Sequence, residues 1–221
     1  MAEGYAYRYS LGVSIFHHIS VRRTAITGSM GVDGLPATFR YSEARRLGVS
    51  DRRLRRLLED GQIKLVSRGL YRRTDADPVV DLDLIEVAHR VTDATLCLVS
   101  ALARHGLTDQ IPAAIDVAIP RGRRAPRLTA PVTWHHFARE TFSVGRELLP
   151  VGPGEQIAIY SAERCIIDAF RLRHREGTDL AVEALRAWLR HRGNRPAALM
   201  AMAKHFPQAA APLRTTLEVL L

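Results

Sequence analysis

Lysine is almost missing from this 221-residue chain: of its 32 basic side chains, only Lys64 and Lys204 are not arginine. Neither lysine has a glutamate two positions before it, which removes metal-dependent nuclease chemistry of the Asp, Glu-x-Lys kind. Cysteine is scarce too. Cys97 and Cys165 stand in apolar stretches, at no spacing that suits a metal or a disulfide framework, and read as buried thiols of a reducing compartment. No apolar run approaches the roughly 20 residues of a membrane span. The segment "LGVSIFHHI" is short and interrupted by His17 and His18, so no secretory signal is expected and the chain reads as cytoplasmic. The sequence holds no internal repeat and no low-complexity tract.

What is present is enough apolar material for a sizeable core, 47% hydrophobic against 25% charged, and a basic charge that is local. The formal net charge is +9. Arg40–Arg73 supplies +7 of it, eleven basic residues against four acidic, leaving +2 for everything else. Arginine abundance is also what a GC-rich genome produces. Placement therefore decides, and it points to an anionic partner such as nucleic acid.

Residues 1–35 have weak periodicity and read as an N-terminal extension, with a turn-like "TGSMGVDGLP" and a second candidate start at Met30. From Tyr41 the pattern sharpens. "YSEARRLGVS" predicts a short helix capped by Ser42 and ended at Gly48, and Ser50 caps a second whose Leu54, Leu57 and Leu58 share a face before Gly61 ends it. "QIKLVS", "RG" and "LYRR" predict a hairpin, with Ile63 and Leu65 alternating against Lys64 and Val66. Helix, turn, helix and hairpin make a winged helix-turn-helix over residues 36–77. "TDADP" follows as a linker, and residues 79–221 form a second domain: helices at "DLDLIEVAHRV" and "ATLCLVSALARHGL", strands at "AIDVAIP", "PVTWHHF" and "GEQIAIYS", one helix through "SAERCIIDAFRLRHREG", and three helices to the end. The fold class is α+β, an N-terminal winged helix-turn-helix followed by a mixed α/β domain with a helical C-terminus.

With about 100° per residue, the leucines of the second helix hold it in the fold while Arg52 and Arg56 lie opposite, flanked by Arg53 and Arg55. Outward arginines there can reach guanine edges in a major groove, and Ser50 with the helix N-terminus can meet a phosphate. Lys64, Arg68, Arg72 and Arg73 would extend the footprint as a wing. The plainer alternative is a solvated arginine helix with Glu59 and Asp60 as neighbours. A second basic cluster, Arg121, Arg123, Arg124 and Arg127 in "PRGRRAPR", reads either as a solvated loop or as a further contact surface.

From Tyr41 to Leu221 the chain resembles the AbiEi-type antitoxins of bacterial type IV toxin-antitoxin, or abortive infection, systems. The resemblance lies in "LGVSDRRLRRLLEDGQIKLVSRGLYRR", "LVSALARHGLTDQIP", "VAIPRG" and "YSAERCIIDAFRLRHREG" in that order. It implies a winged helix that represses its own operon by binding double-stranded DNA at inverted repeats, with cooperative pairing. It further implies a C-terminal antitoxin domain and a cognate nucleotidyltransferase toxin encoded beside it. Carried over by position, DNA reading falls on Ser50, Arg52, Arg53 and Arg56, and the wing role on Arg68. The family's first helix has no obvious counterpart before Phe39. The alternative is a winged-helix regulator whose C-terminal domain senses a ligand or oligomerises.

Enzymatic readings find no complete set, and no cofactor or metal is expected. Gly28-Ser29 and the pair Asp81 and Asp83 would suit a nucleotidyltransferase only if they were close, and over fifty residues and a hairpin separate them. The two aspartates suit a helix start instead. Ser100 and His105 lie within a predicted helix without a nucleophile elbow. His135 and His136, adjacent in a strand, point to opposite faces and cannot share a metal.

Overall fold

A computed structural model describes residues 32–77, 81–152 and 154–221 of the protein. The early part of the described chain is built from β1 (Thr38–Arg40), α1 (Tyr41–Arg46), α2 (Asp51–Glu59), β2 (Ile63–Ser67) and β3 (Leu70–Arg73). The three strands form an antiparallel sheet in the order β1-β3-β2, with Phe39 opposite Tyr71 and Lys64 opposite Arg72. Gly69, at φ +69°, makes the turn between β2 and β3, a conformation that costs a residue with a Cβ. Leu54 and Leu57 are buried, together with Phe39, Ala44, Val49 and Ile63, so the leucine face of α2 is what seats it.

Three expectations for this part need correction. α1 begins at Tyr41, with Arg40 at the cap position and its backbone N–H donating to Glu43 at 2.8 Å; Ser42 lies inside the helix. Leu65 is exposed although it pairs in register with Tyr71, and the alternation breaks only after it, where the register shifts between Leu65 and Ser67. "TDADP" does not begin as a free linker: Thr74 Oγ1 donates to the carbonyls of Gly61 and Gln62, and the Asp77 carbonyl accepts from Arg72. The extension up to residue 31, with Met30, lies outside the described residues.

The rest of the chain runs α3 (Leu82–Arg90), β4 (Thr95–Leu96), α4 (Leu98–Arg104), β5 (Ile115–Pro120), β6 (Val132–Phe137), β7 (Arg146–Gly152), β8 (Glu155–Tyr160) and then α5 (Ala162–Arg171), α6 (Arg173–Glu176), α7 (Thr178–Arg190), α8 (Pro196–Ala203) and α9 (Pro207–Leu220). A mixed five-stranded sheet in the order β6-β5-β4-β8-β7 packs against helices, and the class is α+β. The predicted helix at "ATLCLVSALARHGL" gives its first residues to β4, the central strand. It is two residues long and wholly buried, and an apolar run that short has no period to separate strand from helix. β7 has no strand signature in the sequence, because its outer position leaves Leu148 exposed and Pro150 and Gly152 give it the composition of a turn. The helix starting after Ser161 breaks at Leu172 into α5 and α6.

The motif "YSAERCIIDAFRLR" is the centre of this second core. Ser161 caps α5 by accepting the Arg164 N–H at 3.3 Å. The Arg164 side chain is completely buried: Nε donates to Asp168 at 3.0 Å, and Nη1 donates to the carbonyls of Thr141 at 2.8 Å and Val144 at 2.7 Å. Its guanidinium lies 4.2 Å from the Tyr160 ring centre and 4.3 Å from that of Phe206, while Arg171 donates to the other oxygen of Asp168. Cys97 and Cys165 are both free and buried, and burial pushes each thiol well above its ordinary pKa.

A polar seam joins the first sheet to the second core. Arg72, 2% exposed, donates to Thr38 Oγ1 at 2.7 Å; Thr38 in turn bonds the Glu155 carboxylate, which lies 2.7 Å from His89 Nε2. Burial, the largest single influence, pushes the Glu155 pKa up, but the bonds from His89 and Thr38 and the charge of Arg72 outweigh it and hold it below the ordinary 4.5. A depressed carboxyl adds stability above its unfolded pKa and loses it as pH falls through the folded one. The urea midpoint should therefore drop as pH falls below about 4.5, and Glu155→Gln should flatten that limb. Parallel profiles for the two proteins would remove Glu155 from the account.

Candidate nucleic-acid interface

α2 presents the charge. Ser50 Oγ accepts the Arg53 N–H at 3.2 Å, which satisfies one end group of the helix and leaves the Ser50 O–H to donate outward. Arg52, Arg55 and Arg56 are exposed, and Arg53 is half-buried. Opposite them Leu54 and Leu57 are anchored in the core, so the arginine face cannot rotate away. A latch not visible in the sequence steadies the helix start: Tyr41 O–H donates to Asp51 Oδ1 at 2.6 Å, and Arg45 lies 3.7 Å from the same carboxylate. One carboxylate at the end of α2 is thereby already matched by protein groups.

The hairpin divides its four basic residues. Lys64 and Arg68 are exposed. Arg72 is turned inward to Thr38 and Asp77, a correction to its expected place on the outer surface. Arg73 is half-buried and committed as well, with Nη1 on the Leu35 carbonyl at 3.0 Å and its other nitrogens on Asp75. Strand alternation could not reveal this, since the partners that draw the two arginines inward come from β1, from the turn before it and from residues 75–77.

Of the second cluster, Arg121, Arg124 and Arg127 are exposed, while Arg123 pairs with Asp93 at 2.5 Å. Among the described residues no group of three or more His, Cys, Asp or Glu side chains is placed to hold a metal, and no helix is long and apolar enough to cross a membrane. Asp81 caps α3, accepting the Leu84 N–H, and pairs with Arg104; Gly28-Ser29 lies outside the described residues.

Ser100 and His105 go to different partners: Ser100 exchanges hydrogen bonds with Asp116, and His105 Nε2 is 2.7 Å from the Tyr160 carbonyl. Asp116 also lies 3.0 Å from His135 Nε2, so a Ser, Asp and His do meet, but with the carboxylate in the middle. Activating a hydroxyl needs the imidazole there. His135 is buried and His136 exposed, as their adjacency in a strand requires. A cavity of about 190 Å³ beside Ser100 and Arg104 is smaller than the usual small-molecule site.

Residues 37–74 match the family model described as "Transcriptional regulator, AbiEi antitoxin", and no curated protein matches the chain. The matched span contains β1, α1, α2 and the hairpin, and residues 75–221 lie outside it. Within it fall the exposed arginines of α2, the Ser50 cap and the Gly69 turn, and over this segment the chain is similar to the AbiEi antitoxin family of transcriptional regulators.

Proposed function

We propose that the protein is an antitoxin that neutralises a cognate nucleotidyltransferase toxin and represses its own operon by binding inverted repeats in the promoter. Residues 36–77 act as a winged helix-turn-helix, α2 as the helix in the major groove, and residues 79–221 as the antitoxin domain. The observation that supports this reading most is that α2 is fixed by Leu54 and Leu57 while Arg52, Arg55 and Arg56 stand exposed on it, with Lys64 and Arg68 alongside. Guanidiniums so held can reach guanine O6 and N7 bidentately, and flanking cations meet phosphates. The regulator half draws on the family match. The antitoxin half draws on the later motifs that resemble the family.

One such unit reads one half-site, so stable occupancy needs two copies on the same face of the duplex. In gel shifts with the region upstream of the gene, moving the half-sites apart by about five base pairs, half a helical turn, should reduce binding to that of a single half-site. Insertion of a full turn should restore most of it. Co-expression with a nucleotidyltransferase encoded alongside should permit growth that the toxin alone prevents. Retained DNA binding with no such rescue would leave instead a regulator whose C-terminal half serves another purpose.

A further inference from the structure

We propose that the loop of residues 121–127 is a second DNA contact, continuing the phosphate track of the β2–β3 hairpin onto the flank of each half-site; this rests on the DNA-binding reading above. Residues 121–146 hold six arginines against one carboxylate, Glu140, so a second basic surface exists outside the charge-rich Arg40–Arg73 segment. Arg121, Arg124 and Arg127 point their charge to solvent.

α3 and the turn after it bracket the two surfaces together. Arg90, at the end of α3, donates to the Arg68 carbonyl at the hairpin turn and to Ser67 Oγ. Asp93, three positions on, takes the Arg123 guanidinium. The hairpin turn and the loop are thus both held by the one short stretch Arg90–Asp93, which spans at most about 11 Å of backbone. A duplex lying along that stretch would meet phosphates at both.

The loop is also already ordered. The buried Glu86 carboxylate accepts the N–H groups of Thr129 and Ala130, the latter at 2.9 Å. Arg139 Nε donates to the Arg121 carbonyl at 2.9 Å, and His136 Nε2 donates to that of Arg123. A charged loop held in place loses little freedom on binding. Its chemistry fits phosphate better than a protein partner: the fork of guanidinium donors matches phosphate oxygens, and none of the exposed large hydrophobic residues lies in it to serve as an anchor.

The test compares full-length wild type with the triple variant Arg121→Ala, Arg124→Ala, Arg127→Ala on upstream-region duplexes, by fluorescence anisotropy over a salt series. One duplex extends well past the footprint and the other ends at the hairpin-side contact. On the long duplex the variant should bind about tenfold more weakly, with a salt slope smaller by about two to three. On the short duplex the two proteins should agree, and competition with altered half-sites should show unchanged base preference.

Equal affinity on the long duplex, or an equal loss on both, overturns the proposal. So does a variant that keeps DNA binding and loses binding to a transfer RNA probe, since the loop would then serve RNA. Wild-type protein that binds no duplex overturns the DNA-binding reading together with the loop. Wild-type binding with an unaffected variant overturns the loop alone.

Discussion

Arg164→Ala should cost about 3–5 kcal/mol of folding stability, because it strands Asp168 in the core. Both side chains are completely buried, and the Arg164 guanidinium also satisfies the carbonyls of Thr141 and Val144 and lies against the rings of Tyr160 and Phe206. Truncation removes all of these at once. Replacing the pair together, Arg164→Met with Asp168→Leu, should cost far less, since burying two charges is itself expensive and apolar groups of similar volume avoid that cost. Gly145→Ala should disturb the same place from outside: at φ +68° its new Cβ would lie 2.8 Å from Arg164 Cβ. Urea titrations of the four proteins check this. A loss under about 1 kcal/mol for Arg164→Ala would mean the pair is replaceable packing and not the centre of the core.

The second large effect separates arginines that look alike in the sequence. Arg52→Ala or Arg56→Ala should cost about 1–3 kcal/mol of operator binding and relax base preference, with the protein's stability unchanged. Arg68→Ala or Lys64→Ala should weaken binding to every duplex and reduce the salt slope by about one. Arg72→Ala should behave differently from all four. Its guanidinium bridges Thr38 and the Asp77 carbonyl beside Glu155, so its loss should lower the denaturation midpoint at low and high salt alike. Competition binding and urea unfolding on the same five variants distinguish the roles. A sequence-blind loss at Arg52 and Arg56 would take α2 out of the groove, and an unchanged midpoint for Arg72→Ala would return that residue to the outer surface.

Much of the N-terminal module was legible because its signals are local. The Ser50 cap, the leucine face and the Gly61 and Gly69 breaks each depend on residues a few positions apart, and the helix and hairpin periods follow from them. The same holds for Asp81 at the start of α3 and for the opposed His135 and His136.

What only the tertiary structure decided is where the charges go. Arg72 and Lys64 are directly opposed across the hairpin, yet one is buried and the other exposed, because Thr38 lies 34 positions from Arg72 and supplies an acceptor there. Arg164 and Arg56 occupy similar helical surroundings in sequence, but backbone carbonyls from the loop before β7 and a ring from the turn before α9 make an interior site for the first alone. A cation is buried where acceptors converge from distant segments to replace its water, and no pattern along the chain records that convergence. The bonds of the hairpin and the basic loop to the stretch Arg90–Asp93 are of the same kind: the sequence determined that both stretches are basic, and the packing at the end of α3 determined that both are held there.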